Sequence, residues 1–357
     1  MTGGGTGGHI FPAIAIADSL KNRVSDSRIL FIGAKGKMEE RIVPANNYEI
    51  KSINISGLRR GKYLEWLAVP VKFFCSVRKC KRIIYEFKPS VVVATGGYVS
   101  APVIYSALKK KCKIVLQEGN AIPGKVTKMF AGKADKVIVN FEETKQYLKR
   151  KDNILRIAYP IRILKENINR NEACEFFGIS EKRKTLFVFG GSQGSASINN
   201  ILEKIIPELY AMDLNIIWQT GMNDFRRIKD GFEKYSGRVK IFGFIDKMFA
   251  AYTASDLVIC RAGVSSIMEI AALKKPAIIV PYPYAAENHQ EKNAKALAKE
   301  NACIFIPENQ LEEKLFETVK TAIFDDGLLK KLSENVYSFS DSDSANKIAD
   351  EIIKITS

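Results

Sequence analysis

The stretch DLVICRAGVSSIMEIAALKKPAIIVPYP, residues 256–283, decides the fold. Its two ends, DLVICRAG (256–263) and PAIIVPYP (276–283), are apolar runs of the kind that form buried strands. Between them a helix starts near Val264, with Ser265 and Ser266 in its first turn and Glu269 about one turn further on. Strand, helix, strand is the repeating unit of a parallel sheet covered on both faces. The alternation continues through KTLFVFGGSQG (184–194), LNIIWQTG (214–221), VKIFGFI (239–245) and ACIFIP (302–307). An earlier set comprises RILFIG (28–33), SVVVATGG (90–97), CKIVLQEGN (112–120) and DKVIVN (135–140). ILRIAYPIR (154–162) lies between the sets and reads as the junction. We therefore expect an α/β protein of two doubly wound, Rossmann-like domains.

Each half contains a glycine loop that feeds an amphipathic helix: GGGTGGHIFPAIAIADSL (3–20) and GGSQGSASINNILEKII (190–206). Glycine permits positive φ and close approach of backbone N–H groups to a ligand, and a helix N-terminus favours negative charge. No Gly-Lys-Ser/Thr follows, so neither loop is a Walker P-loop. Gly3-x-Gly5-x-x-Gly8 has dinucleotide spacing, but RILFIG runs into Gly33-Ala34-Lys35 where an acidic residue should hold a ribose, which argues against NAD. A tight packing turn with no ligand is the plainer alternative. Only Met1 and Thr2 precede the first loop, where a buried strand is expected, so the sequence reads as a late start that dropped a few residues.

The helix start at 263–266 can hold a diphosphate, and Glu269 can accept both hydroxyls of a ribose. A serine cap with a solvent-facing glutamate is the alternative at that segment.

The 357 residues suffice for two domains, and 46% apolar with 26% charged residues is an ordinary globular composition. No apolar run approaches a membrane span, and no secretory signal opens the chain. The six cysteines (75, 80, 112, 174, 260, 303) form neither a C-x-x-C pair nor a zinc pattern, which suits reduced thiols in the cytoplasm. The net charge of +16 is unevenly placed: residues 1–161 carry +17 and residues 162–357 carry −1. The first half is expected to face a polyanion.

These motifs together, TGGGTGGHIFPAIAIA, ATGGYVSAPV, GGSQGSASIN, the 244–297 region and HQEKNA, resemble glycosyltransferase family 28, of the GT-B fold class. The resemblance implies parallel sheets facing a deep cleft. It implies an acceptor domain at 1–161, a donor domain at 162–340, and a last helix (341–357) that packs back on the first domain. It implies inverting transfer of N-acetylglucosamine from UDP-GlcNAc to the 4-hydroxyl of the MurNAc unit of lipid I, giving lipid II. On the donor side it implies that Ser192, Ser265 and Ser266 meet phosphate, that Glu269 meets the ribose and that Ile245 meets the uracil edge through its backbone. Arg261 would fix the nucleotide, Arg162 would close on the phosphates, and His289, Gln290 and Asn293 would reach the sugar. On the acceptor side it implies Thr6, Gly7, Gly8 and His9, then Gly96, Gly97, Tyr98 and Ser100, then Glu118 and Asn120. The chain departs from the family pattern at Gln117 and Gly119, at Thr127 in place of an asparagine, and at Ala158-Tyr159 before Pro160.

Such a transfer needs a base for the attacking hydroxyl and stabilisation of the leaving diphosphate. His9, one of only two histidines, is the first candidate, since an imidazole titrates near neutrality; Glu118 is the second, and a purely structural His9 is the alternative to both. No metal or other cofactor is expected. Asp341-Ser342-Asp343, the only Asp-x-Asp, reads as a helix cap. Segment 62–84 mixes Trp66, Val71, Phe73 and Phe74 with Lys72, Arg78, Lys79, Lys81 and Arg82, which suits peripheral binding to an anionic bilayer on the cytoplasmic face of the membrane. An ordinary core helix with a solvated flank is the plainer alternative there. Other cell-wall enzymes are conceivable partners. Nucleic acid is not, for the chain lacks a recognition motif. Other glycolipid glycosyltransferases of the same fold, or a UDP-sugar epimerase, are the rival readings.

Overall fold

The computed structural model describes residues 1–56, 63–161, 168–191 and 193–356, with the side chains of residues 63–69 left out. The chain divides into two compact units, Met1–Arg162 with Asp341–Ser357, and Ile163–Ser340.

The first unit runs α1 (Gly7–Arg23), β1 (Leu30–Ala34), α2 (Glu39–Ala45), β2 (Glu49–Ile53), α3 (Tyr63–Phe87), β3 (Val91–Ala94), α4 (Ser100–Lys109), β4 (Lys113–Glu118), α5 (Lys125–Phe130), β5 (Lys136–Val139) and β6 (Ile154–Arg156). The second runs α6 (Arg170–Phe177), β7 (Thr185–Phe189), α7 (Ala196–Ala211), β8 (Asn215–Gln219), α8 (Met222–Gly231), β9 (Val239–Phe242), α9 (Met248–Ala254), β10 (Leu257–Cys260), α10 (Val264–Ala272), β11 (Ala277–Ile279), α11 (His289–Lys299), β12 (Ile304–Phe305), α12 (Leu311–Ala322) and α13 (Asp326–Tyr337). The last helix, α14 (Ser344–Thr356), returns to the first unit.

Every strand pair described is parallel. The second unit has one six-stranded sheet, β12-β11-β10-β7-β8-β9. Leu257–Cys260 lies beside Leu186–Phe189, and all of these side chains are buried. This is why the segment reads as unbroken apolar runs: helices cover both faces. Trp218, Leu202, Ile216 and Ile259 anchor the core on one face of this sheet.

In the first unit β1-β2 and β3-β4-β5-β6 are joined by the first two residues. Thr2 bridges in parallel to both Ile32 and Ala94. Its N–H donates to Val93 O at 2.8 Å, and the Thr95 N–H donates to Thr2 O at 2.9 Å. The strand expected ahead of the loop is thus represented by Met1–Thr2, which enters at mid-sheet and delivers Gly3 to the strand ends. Helix α14 packs on α1, where Ser19 and Arg23 donate to Asn346, and Arg23 pairs with Asp350 at 2.6 Å.

Candidate active site

The first unit builds its site from three loops at the strand ends. Gly3 is forced by contact, since a Cβ there would lie 2.0 Å from Thr95 Oγ1. Gly4 is forced likewise by Glu39 Oε1, 2.3 Å from its ideal Cβ. Gly5 sits at φ +86°, and its N–H donates to Glu39 Oε2 at 3.2 Å. Glu39 is fully buried and also accepts from the Ala34 N–H at 3.0 Å. The opening glycines are therefore a packing joint, and the exposed part of the loop lies at Thr6, with Gly7–His9 half-buried behind it. Thr6 is the exposed N-cap of α1, and its hydroxyl makes no capping bond. The first-turn N–H groups of Gly7 and Gly8 have no acceptor inside the helix. Tyr159 donates its hydroxyl to Gly8 O.

The His9 ring is held between loops. Its Nδ1 lies 2.9 Å from Thr95 O. A carbonyl only accepts, so Nδ1 carries the proton and Nε2 is the basic nitrogen. A Cβ on Gly96 would come within 2.7 Å of this ring, and one on Gly97 within 2.3 Å of Gly4 O. Both glycines have positive φ, so the second loop can close over the imidazole only as glycine. Tyr98 is half-buried against Gly5. Ser100 is buried and donates to Gly96 O at 2.8 Å, bracing that loop from within.

Glu118 corrects one expectation. It is buried, and each carboxylate oxygen already takes two donors: Asn120 N–H at 3.1 Å and Asn120 Nδ2 at 3.2 Å on Oε1, Gly124 N–H at 2.9 Å and Thr127 Oγ1 at 2.7 Å on Oε2. A carboxylate has about four lone-pair sites. Glu118 thus organises the third loop and is a poor base. Asn120 directs its amide at Glu118, so its part is to hold that loop as well.

In the second unit, Gly190, Gly194 and Gly221 are packed backbone against backbone. A Cβ on Gly194 would lie 2.0 Å from Thr220 O, and one on Gly221 2.4 Å from Gln193 O. Ser195 caps α7 by accepting from the Ile198 N–H. Asn199 is buried and accepts from Trp218 Nε1 at 3.1 Å while donating to Thr220 O and Asp224. Gln219, which the sequence does not single out, spans the loops: its Nε2 donates to Gly191 O at 3.1 Å and its Oε1 accepts from the Ile245 N–H at 2.8 Å. The Ile245 N–H is therefore engaged, and the group it can offer a uracil edge is its carbonyl.

Helix α10 starts at Gly263 with no side-chain cap, and Ser265 and Ser266 are half-buried in its first turn. Glu269 is half-buried one turn on and accepts from the Tyr252 hydroxyl at 2.9 Å. Burial raises the Glu269 carboxyl above its ordinary 4.5. Burial, and the neighbouring Glu269 charge after it, push the Tyr252 phenol well above 10.0.

Arg261 and Asn293 are both engaged by protein partners. Arg261 is buried, donates to Ser197, Val280 and Pro281, and pairs with Glu308. Asn293 is fully buried and donates to Ala262 O at 3.2 Å, tying α11 to the β10–α10 turn. Gln290 accepts from the Tyr282 N–H at 2.9 Å, and His289 Nδ1 lies 2.8 Å from Ala286 O. Glu287 and Asn288, just before them, both adopt positive φ, the kind of strain that gathers at functional loops. Ser192 and Arg162 lie outside the described residues. So does Lys62 of the basic segment, with the Trp66 side chain.

Among the described residues no acidic, cysteine and histidine cluster could hold a metal ion, and no helix is long and apolar enough to cross a membrane. On α3, Val71 and Phe74 are 64% and 72% exposed, beside exposed Arg78, Lys81 and Arg82. Lys110 lies 4.8 Å over the exposed Tyr85 ring, and Lys109 lies 5.8 Å over Tyr105 on α4.

Two parallel α/β units, each with a glycine loop at a helix start, define a GT-B-like fold, and comparison with known proteins agrees. Residues 1–139 match the glycosyltransferase family 28 N-terminal domain and residues 185–351 the glycosyltransferase family 28 C-terminal domain. The chain belongs to glycosyltransferase family 28. It is 39% identical, over 99% of its own length and 97% of the relative's, to the UDP-N-acetylglucosamine--N-acetylmuramyl-(pentapeptide) pyrophosphoryl-undecaprenol N-acetylglucosamine transferase of Parabacteroides distasonis. Among solved structures, MurG of Acinetobacter baumannii aligns with a TM-score of 0.77 at 24% identity, covering 99% of this chain and 98% of that one. A UDP-GlcNAc 2-epimerase from Neisseria meningitidis aligns with a TM-score of 0.69 at 12% identity, covering 96% of this chain and 97% of that one, so the fold by itself does not choose the reaction.

Proposed function

We infer that this protein transfers N-acetylglucosamine from UDP-GlcNAc to the MurNAc 4-hydroxyl of lipid I, with inversion, to form lipid II for peptidoglycan. The observation that carries this reading is the 39% identity sustained over the full span of a transferase with that name. An epimerase shares the fold but needs no lipid acceptor.

In this reading the first unit holds the acceptor. Thr6, Gly7 and Gly8 meet its diphosphate at the start of α1, with Tyr98 beside them. His9, basic at Nε2, takes the proton from the attacking hydroxyl, and Glu118 and Asn120 keep the third loop in shape. The second unit holds the donor. Ser265 and Ser266, with Ser192, receive the diphosphate at the start of α10, where the helix dipole supports the charge that develops as UDP leaves. Glu269 accepts the ribose hydroxyls, the Ile245 carbonyl meets the uracil, and His289 and Gln290 meet the sugar, steadied by Asn293. Arg162 closes on the phosphates. The exposed apolar and basic residues of α3 and α4 rest on the anionic cytoplasmic face of the cell membrane, where each basic residue contributes about 1 kcal/mol. Other cell-wall enzymes are partners compatible with that placement.

The test is UDP release from UDP-GlcNAc with and without a lipid I analogue, in EDTA. Release only with the acceptor, together with a disaccharide-lipid product, supports the reading. Sugar turnover without acceptor returns the epimerase alternative, and dependence on added metal removes the metal-free mechanism.

A further inference from the structure

One charged cluster in the second unit has no part in the reaction above. Strand β7 continues toward β8 and β9, whereas its other neighbour, β10, continues toward β11 and β12. Strand order reverses between β7 and β10, and doubly wound sheets bind ligands above such a switch point. Arg261 follows directly on β10 and reaches to both sides of it. Toward β7 it donates from Nη2 to Ser197 Oγ, in the first turn of α7, at 2.7 Å. Toward β11 it donates from Nη1 to Pro281 O at 3.0 Å and Val280 O at 3.3 Å. The same Nη2 pairs with Glu308, in the short turn before α12, and Ser197 Oγ donates to Glu308 Oε2 at 2.7 Å. The Arg261 and Glu308 side chains are only 9% and 22% exposed.

An unaccompanied guanidinium at a switch point would hold any diphosphate tightly. Here it already has a resident carboxylate, and the hydroxyl between them fixes the geometry. We propose that Glu308 is a positioning residue that neutralises Arg261 at the switch point and so limits how tightly the second unit retains a nucleoside diphosphate. The proposal rests on the donor reading above. It assigns Glu308 a part in product release: with the carboxylate in place, UDP leaves a site of moderate charge; without it, the field of the buried arginine acts uncompensated on the diphosphate.

The experiment is calorimetric titration of UDP into the wild type, Glu308→Gln, Glu308→Asp and Ser197→Ala, at low and high salt, with melting temperatures. Glu308→Gln is expected to bind UDP roughly three- to tenfold more tightly at low salt, with the gain shrinking at high salt. Glu308→Asp, which draws the charge back by one methylene, is expected to tighten less. Ser197→Ala, which keeps both charges, is expected not to tighten. Equal or weaker UDP binding by a folded Glu308→Gln overturns the proposal, because a scaffold residue can only lose affinity. If the glutamine variant does not fold, the sign of the change in Glu308→Asp decides in the same way. A wild type that fails to bind UDP overturns the donor reading itself. A wild type that binds while the Glu308 variants stay unmoved overturns only the role of Glu308.

Discussion

At Gly3 and Gly4 the glycines make room chiefly for side chains, whereas at Gly194 and Gly221 they make room for backbone. Gly3 and Gly4 press on Thr95 and on the buried carboxylate of Glu39. Gly194 presses on a neighbouring carbonyl, Thr220 O. The first helix leaves its cap hydroxyl, Thr6, turned out, while the second uses Ser195 to cap itself. The first loop sits beside an imidazole, and the loop system of the second unit is crossed by the amide of Gln219 and the Arg261–Glu308 pair. One local sequence pattern thus serves two kinds of site. In one, the loop is shaped around a group that can move a proton. In the other, it is braced by buried polar side chains that bond within the protein.

The sharpest way to break this contrast is at His9. His9→Ala is expected to lower kcat by about 10²- to 10⁴-fold and to leave UDP binding unchanged. A loss of UDP affinity of similar size would mean that the first loop is not the chemical one. Next comes the material of the walls. Gly194→Ala adds a Cβ against a fixed carbonyl at φ +76° and is expected to cost about 3 kcal/mol or more in stability, measured by urea denaturation. Gly4→Ala meets mainly the Glu39 side chain and has no positive φ to add strain, so it should cost less, and the two substitutions should rank in that order.

Glu118→Gln turns an amide N–H₂ toward donors that already occupy both oxygens, and should cost about 1–3 kcal/mol of stability. A large fall in kcat with no stability change would instead restore Glu118 as the base. At Glu269 the prediction concerns pH. Its carboxyl is raised above 4.5, so it keeps its proton to higher pH than in an unfolded chain, and its contribution to stability falls as pH rises from 4.5 through the folded value. Ribose hydroxyls need the ionised form, so UDP affinity should rise with pH over the same window. Glu269→Gln should bind UDP about tenfold more weakly and lose that pH dependence, as followed by titration across the acid range. The smallest effects belong to the caps: Ser195→Ala should cost about 0.5–1 kcal/mol and Thr6→Ala almost nothing, compared by thermal melts.

Most of the fold could be read because a strand buried on both faces must be apolar throughout. The eight segments that form β1, β3 to β5, β7, β8, β10 and β11 announce themselves in this way, while β9 and β12, edges of the six-stranded sheet, are half-buried and are read from their apolar runs alone. β2, EIKSI, and the three-residue β6 do not, for both are sheet edges and carry polar residues. The glycine loops were legible because positive φ and close approach leave a mark on composition. Glu39, Gln219 and Glu308 were not, since each is a single polar residue whose meaning comes from a partner distant in sequence; Ser197 and Glu308 are 111 residues apart. The same limit hides that Arg261 and Asn293 are buried and bonded within the second unit. Two departures from the family pattern acquire a reason here: Thr127 donates to Glu118, and Tyr159 donates to Gly8 O, both among the loops of the first unit.

Helix α14 has a consequence for the protein's birth on the ribosome. Its Asn346 and Asp350 bond to Ser19 and Arg23, partners more than 300 residues earlier in translation. Ile348 and Ile352 close a layer of core against Ile16 and Val93. While the second unit is being synthesised, the first must wait with that layer uncovered, its basic and apolar surface already outside the exit tunnel. The second unit, continuous in sequence, can finish first although it is made second. Nascent chains truncated before residue 340 should therefore protect the second unit from proteolysis while the first remains open to it.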